Sequence, residues 1–303
     1  MKRFLLAIAC LALSAAWSPA AGEAGVVALF SADIAPYRQA FDGFQEELRQ
    51  TKGALRTIEQ VLGSEKMESL AAQIEREKPL LVFTLGPEAA KFARERLKGT
   101  PVVFSMLLRP QPLAGPNVTW VSLGIPVRAR LEKIRKLLPE ARRIGVIYSP
   151  ETAALYREIV QGCKATGLQA VGRQLDSGKE LPEAFAAIAS RIDLFLMIPD
   201  TKVFFPKSIE YLLVEGLKRR VPLVGLAASY SRAGALFSFE ADYRDVGRQA
   251  GELAIRILDG ESPGRVEPST PRRIKTSVNL AVAERLGITI DPQTIKEASD
   301  VFK

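Results

Sequence analysis

The sequence predicts an α/β protein with two lobes, each built on an open parallel sheet, joined by a hinge and enclosing a cleft. Short β-branched or apolar runs alternate with longer helical patterns, which is typical of parallel βα units. The alternation is interrupted at 109–117 by a loop rich in proline and glycine, and then restarts. Two such series predict two Rossmann-like lobes.

The first series begins with the apolar strand 26–30 and a helix that places Phe41, Phe44 and Leu48 on one face. Apolar residues at this spacing form the buried stripe of an amphipathic helix. An extended stretch at 118–125 ends the series. The predicted strands are 26–30, 55–60, 80–85 and 101–105, and the predicted helices are 37–50, 65–77 and 87–97.

The second series repeats the pattern, and a shorter third segment follows it. Its predicted helices are 128–138, 152–167, 181–190 and 208–220, and its predicted strands are 143–148, 168–175, 194–198 and 223–226. In the third segment, strands 235–239 and 274–278 alternate with helices 246–258 and 280–286. We expect this segment to complete both lobes, giving an N-terminal lobe of 25–122 plus 236–262 and a C-terminal lobe of 123–235 plus 263–303.

The first 20 residues are typical of a secretory signal peptide. Lys2 and Arg3 precede a short apolar run, and small residues follow it, so we expect cleavage near Ala20 and a periplasmic protein. A transmembrane anchor needs about 20 apolar residues, more than this run supplies. A lipid anchor on Cys10 is also disfavoured, because the apolar segment before that cysteine is too short.

The composition weakens most catalytic interpretations. The chain contains no histidine and two cysteines, so it cannot build a Ser-His-Asp triad, a Cys-His pair or a histidine zinc site. Loss of the signal peptide leaves Cys163 alone, without an internal disulfide. It also removes two of the positive charges behind the formal net charge of +8. The other basic residues are scattered among acids, which does not favour nucleic-acid binding. We expect no cofactor, no metal and no enzyme.

Loops at the carboxyl ends of parallel strands face the cleft, where open sheets bind ligands. The candidate ligand-binding residues come from these loops in both lobes. They are Ser31, Asp33, Tyr37, Gly86, Pro87, Glu88, Ser105 and Met106 in the first lobe, and Tyr148, Ser149, Asp200, Thr201, Ser229 and Tyr230 in the second.

Each candidate group has a structural alternative. The helix start at 86–89 offers backbone N–H groups to a ligand carboxylate, or is a plain strand-to-helix turn. The carboxylates of Asp33 and Asp200 match a ligand ammonium, or cap a helix or turn. Tyr37 stacks on a ligand or covers the rim of the cleft. Arg109 is a surface arginine, an ion-pair partner for Glu88 or Asp200, or a bidentate partner for a carboxylate or phosphate.

Several segments resemble the ABC transporter substrate-binding proteins, which have the periplasmic binding protein type I architecture. The resemblance rests on FSADIAPYRQAFDGFQEEL, TLGPEAAKFA, TPVVFSM, VPLVGLAASYSRAGALFSFEADYRDVGRQAGELAIRILDGESP and TSVNLAVAERLGITI. The best-known members bind tryptophan and related aromatic amino acids. One departure lies near the site, because Arg109 stands where members usually carry an Asp-Pro pair.

The resemblance implies a monomeric periplasmic receptor that closes its lobes on a small solute, such as an amino acid, and presents it to an inner-membrane ABC permease. The same cleft could instead report a solute to a membrane sensor. Both functions need the same hinge, so the sequence leaves the two open.

Overall fold

The computed structural model describes residues 25–63 and 67–303, so the predicted signal peptide lies outside the described residues. The chain forms two sheets, one in each lobe. Within the described residues, no helix combines the length and the apolar character needed to span a membrane.

The first sheet has five parallel strands in the order β2-β1-β3-β4-β5. Its central strands are buried throughout, which explains why they appear in the sequence as uninterrupted apolar runs. The predicted extended stretch supplies the fifth strand. The elements are β1 (Val26–Phe30), α1 (Ala35–Lys52), β2 (Thr57–Val61), α2 (Met67–Glu77), β3 (Leu81–Leu85), α3 (Pro87–Arg96), β4 (Val102–Leu107) and β5 (Val118–Ser122).

The second sheet has seven strands in the order β12-β11-β10-β9-β8-β6-β7. All neighbours are parallel except β10 and β11, which are antiparallel. The elements are α4 (Val127–Leu137), β6 (Arg143–Tyr148), α5 (Ala153–Ala165), β7 (Gln169–Gln174), α6 (Leu181–Ala189), β8 (Leu194–Leu196), α7 (Pro206–Lys218), β9 (Leu223–Gly225), α8 (Ala228–Ala233), β10 (Phe237–Ala241), α9 (Tyr243–Leu258), β11 (Ile274–Asn279), α10 (Leu280–Leu286), α11 (Pro292–Glu297) and β12 (Asp300–Phe302).

The structure divides the segment 236–262, which the sequence analysis assigned as one piece to the N-terminal lobe. β10 follows β9 after a single short helix and pairs with it, so the strand belongs to the second sheet. α9 carries an apolar stripe that includes Val246 and Ala250, and this stripe packs into the core of the first lobe. The strand and the helix therefore lie in different lobes.

Two glycines allow α9 to pack directly on the backbone of α1. A Cβ atom at Gly247 would lie 1.8 Å from the carbonyl oxygen of Ala40, and one at Gly43 would lie 1.9 Å from that of Arg244. Any side chain at these positions would force the helices apart. The close contact fixes α9 to the first lobe, so the chain crosses between the lobes before and after this helix as well as after β5.

Candidate binding site between the lobes

One hydrogen bond shows that the carboxyl ends of the two sheets face each other. Arg109 follows β4 in the first lobe, and its Nη1 donates to the backbone oxygen of Glu151 at 3.2 Å. Glu151 follows β6 in the second lobe, and its carboxylate pairs with Lys202 Nζ at 2.8 Å. In the described part of the chain Arg109 makes no ion pair with Glu88 or Asp200, the two partners considered for it.

Ser31, Tyr37 and Gly86 meet at the cleft edge of the first lobe, as their positions after strands predicted. Gly86 has a φ of 99°, which favours glycine. A Cβ atom there would lie 2.4 Å from Tyr37 Oη and 2.7 Å from Ser31 Oγ. Burial and the negative charge of Glu88 raise the pKa of Tyr37, so its phenol remains protonated. The three residues form a tight corner where β1 and β3 end.

The start of α3 is already partly satisfied within the protein. Pro87 has no N–H group, and the N–H of Ala89 donates to Ser31 Oγ at 2.9 Å. Ser31 therefore caps α3 from a neighbouring strand. Pro87 and Glu88 are exposed. Within the described residues, the N–H of Ala90 also has a partner in the backbone oxygen of Gly86, at 3.2 Å.

The end of β4 contains a strained bulge and a buried hydroxyl. Met106 has a φ of 63°, and the pairing of β4 with β5 shifts between Phe104 and Leu107. Ser105 is fully buried, and its Oγ has no hydrogen-bond partner within the described residues. Strained backbone and unmet polar groups concentrate at functional sites. This bulge therefore combines a strained backbone residue with a buried hydroxyl that lacks a partner there.

Asp33 lies in the same loop region but is engaged elsewhere. Arg38 Nε donates to Asp33 Oδ1 at 2.6 Å, and this hydrogen bond lowers the pKa of the exposed carboxyl. Arg38 also pairs with Glu59 and lies over the ring of Phe30. The helix α1 begins after Ile34 without a side-chain cap, so Asp33 does not serve as its cap.

Asp200 is the central acceptor of the second cleft edge. Its Oδ2 accepts from Ser149 N at 2.7 Å and from Thr152 Oγ1, and its Oδ1 accepts from Lys202 N at 3.0 Å and Val203 N at 3.2 Å. Burial opposes ionisation, yet these hydrogen bonds hold the pKa of Asp200 below its ordinary value. A carboxylate has about four acceptor positions, so this one is saturated. Its binding of a ligand amine stays a prediction.

The remaining candidates of the second lobe differ in their exposure. Tyr148 is half-buried and stacks on Tyr156 with ring centroids 4.2 Å apart. Thr201 and Ser229 are exposed. Tyr230 is half-buried against Gly225, and burial raises the pKa of its phenol. Ser229 and Tyr230 lie on α8, a short helix that the sequence analysis treated as a loop.

Sequence analysis did not identify Arg130 as a candidate. It lies on α4 within the buried stripe formed by Val127, Leu131 and Ile134, and only 6% of it is exposed. The missed signal is an arginine at an apolar position of the helical repeat. Among the described residues no group of three or more acidic or cysteine side chains could hold a metal ion.

A search against protein-family models matches residues 26–302 to the ABC transporter substrate-binding proteins. This match covers nearly the whole chain. The chain belongs to that family.

Known relatives agree with this assignment. The substrate-binding protein is 22% identical over 223 residues to a tyrosine-binding protein of Clostridioides difficile strain R20291. The match covers 70% of this chain and 64% of that relative, which is less than two thirds of the relative's length.

Two solved structures share the fold over 92% of this chain. The first is a ligand-free, open substrate-binding protein with adhesive properties from Clostridium difficile, with a TM-score of 0.78, 18% identity and 99% of that chain covered. The second is an ABC domain from Streptococcus pneumonia in complex with L-Trp, with a TM-score of 0.65, 21% identity and 100% of that chain covered. These likenesses show the two-lobed type I architecture.

Proposed function

We propose that this substrate-binding protein captures an aromatic amino acid outside the cytoplasmic membrane and presents it, chemically unchanged, to an inner-membrane ABC permease. Family membership supports the receptor role. The tyrosine-binding and L-Trp-bound relatives support the ligand class. The observation that carries the proposal is the pair of facing cleft edges, each of which leaves one buried hydroxyl, Ser105 in the first lobe and Ser149 in the second, without a partner in the described part of the chain.

The cleft edges supply the chemistry that an aromatic amino acid needs. Ser105 Oγ has no partner among the described residues, and the N–H of Glu88 lies at an exposed helix start, so both could hydrogen-bond a polar end of the solute. The half-buried rings of Tyr37, Tyr148 and Tyr230 supply apolar faces near the strand ends, and aromatic rings pack well against each other.

Closure follows from this distribution of groups over two lobes. A solute that contacts both edges binds the closed form more tightly than the open form, and this difference in affinity shifts the population toward closure. Arg109 donates across the gap to Glu151 and serves as a contact around which the lobes move.

The proposal is tested by binding to the protein without its signal peptide. Thermal-shift screening covers aromatic and other amino acids, nucleosides, sugars and small organic anions, and isothermal titration calorimetry follows with L-tyrosine and L-tryptophan. We expect saturable stabilisation by an aromatic amino acid at micromolar concentration. A response to a sugar or nucleoside alone would overturn the ligand class, and no response to any class would overturn the receptor role.

Closure is measured separately by small-angle X-ray scattering. The radius of gyration is expected to fall when the bound solute reaches saturation, because the two lobes approach each other. An unchanged radius under saturating binding would contradict a cleft that closes.

A further inference from the structure

The first turn of α4 concentrates positive charge instead of the usual negative charge. It contains Arg128 and Arg130 and no acid, and it begins after Pro126 without a side-chain cap. A helix start already carries unsatisfied N–H groups and the positive end of the helix dipole, so acids stabilise it and cations do not. Two arginines at such a start therefore disfavour the free helix.

The two arginines are in opposite environments. Arg128 has an 84% exposed side chain and pairs with Glu132 at 2.7 Å. Arg130 is 6% exposed, its Nε has no hydrogen-bond partner, and its side chain has no ion pair within residues 25–63 and 67–303. The charge of Glu158 acts on it only at longer range, and burial lowers its pKa to about 10. Buried charges in proteins are normally paired.

Neighbouring contacts place Arg130 near the cleft edge of the second sheet. Arg135 donates to the backbone of Thr166 beyond the end of α5, at the amino edge of the sheet. Lys133 donates to Thr276, which pairs with Phe239 in the middle of β10. Arg130 lies about one turn closer to the start of α4, and only four residues separate this start from the end of β5 in the first lobe. Long side chains on a helix lean toward its N-terminus, so the guanidinium leans toward the crossing between the lobes.

We infer that Arg130 and the uncapped start of α4 form an anion subsite on the hinge side of the cleft, and that the solute carries a carboxylate which this subsite receives. The inference rests on the proposed function, because it assigns one end of the amino acid bound there. An arginine guanidinium can donate two parallel hydrogen bonds to a carboxylate, and the N–H groups of a helix start add further donors. The anion supplies an ion-pair partner, which Arg130 does not have within the described residues.

The test compares three variants with the unmodified protein, using paired probes. Arg130→Met removes the charge from a side chain of similar length. Arg130→Lys keeps a positive charge but loses the two parallel N–H donors of the guanidinium. Arg128→Met makes the same substitution at the exposed neighbour and is the control. L-Tyrosine and L-tryptophan are each paired with tyramine and tryptamine, which lack the carboxylate. Affinities are measured by isothermal titration calorimetry, and melting temperatures of the free proteins by calorimetry.

We expect the acids to bind the unmodified protein and the amines to bind at least tenfold more weakly. Arg130→Met is expected to weaken binding of the acids about ten- to hundredfold, as for loss of a charged hydrogen bond, with Arg130→Lys intermediate and Arg128→Met within twofold. The free Arg130→Met protein should melt no lower than the unmodified protein, because it loses an unpaired buried charge.

The outcomes separate this inference from the function on which it rests. If neither acid binds the unmodified protein, the proposed function fails and the inference with it. If the acids bind Arg130→Met within twofold of the unmodified protein, or the amines bind as tightly as the acids, only the inference fails. A melting temperature lowered by several degrees with unchanged affinity would assign Arg130 a purely structural role.

Discussion

The two edges of the cleft differ in how their polar groups are satisfied. At the second-lobe edge, Asp200 accepts from two loops and fills its acceptor positions within the protein. At the first-lobe edge, the hydroxyl of Ser105 is buried beside the strained Met106 and has no partner among the described residues. The carboxylate of the second edge is thus saturated within the protein, whereas each edge keeps one buried hydroxyl without a partner among the described residues, Ser105 at the first and Ser149 at the second. A charged residue at a strand end is therefore not by itself evidence of ligand contact.

The largest effect on stability is expected from Asp200→Asn. The amide has one acceptor oxygen and points its NH2 group at backbone donors, so the buried loops lose several hydrogen bonds. We expect the free energy of unfolding to fall by about 3 kcal/mol, measured by urea denaturation. Asp176→Asn, an exposed acid of the same lobe, is the control and should change it little. Equal losses in both variants would remove the distinction between a saturated and an ordinary loop carboxylate.

Ser105→Ala should show the opposite pattern at the first edge. Removing a buried hydroxyl that has no partner leaves the free protein as stable or slightly more stable, since no hydrogen bond is lost. Affinity for the aromatic amino acid is expected to fall about tenfold, measured by calorimetry. If Ser105→Ala destabilises the free protein by as much as Asp200→Asn, the hydroxyl of Ser105 does have a partner in the free protein.

The pH dependence of stability sharpens the contrast further. The folded protein holds the pKa of Asp200 below its ordinary value of 3.8, so the unfolded chain binds the proton more tightly. The stabilisation by Asp200 is therefore fully present above about pH 4 and is lost as the pH falls through the folded pKa. Urea denaturation at pH 7, 5 and 3 should show the deficit of Asp200→Asn narrowing at pH 3. A constant deficit would contradict the assignment.

Arg109→Ala should have the smallest effect, because it removes one exposed hydrogen bond between the edges. We expect a change in stability below about 0.5 kcal/mol and an affinity within about threefold, with a measurable change in the radius of gyration of the free protein. Lys202→Ala, which frees the Glu151 carboxylate but keeps the bond from Arg109, is the matched control. An unchanged radius in the Arg109 variant would show that this contact does not set the lobe arrangement.

Much of the fold was predictable because buried parallel strands are apolar on both faces. β1, β6 and α10 have the predicted bounds, and most other elements differ by one or two residues at one or both ends. The antiparallel pairing of β10 with β11 was not predictable from apolar runs, since both pairings bury the same faces. The short helix α8 was missed because it spans six residues without a long apolar repeat.

The site was predictable in position and only partly in chemistry. The predicted ends of β1 and β3 indicated that Ser31, Tyr37 and Gly86 lie close together, because adjacent parallel strands end at the same edge of a sheet. Whether a side chain is satisfied depends on loops that are distant in sequence, as the bonds from Ser149 and Val203 to Asp200 show. Arg130 was overlooked for the same reason: whether a buried arginine is paired is known only once its neighbours are placed.

Binding between the lobes is tested most directly by hydrogen exchange measured by mass spectrometry with and without saturating aromatic amino acid. A solute held between the lobes should slow exchange at both facing edges, around Ser105 to Leu107 in the first lobe and around the start of α4 and Ser149 in the second. Exchange that slows in one lobe only, or at neither edge while the solute binds saturably, would contradict binding between the lobes.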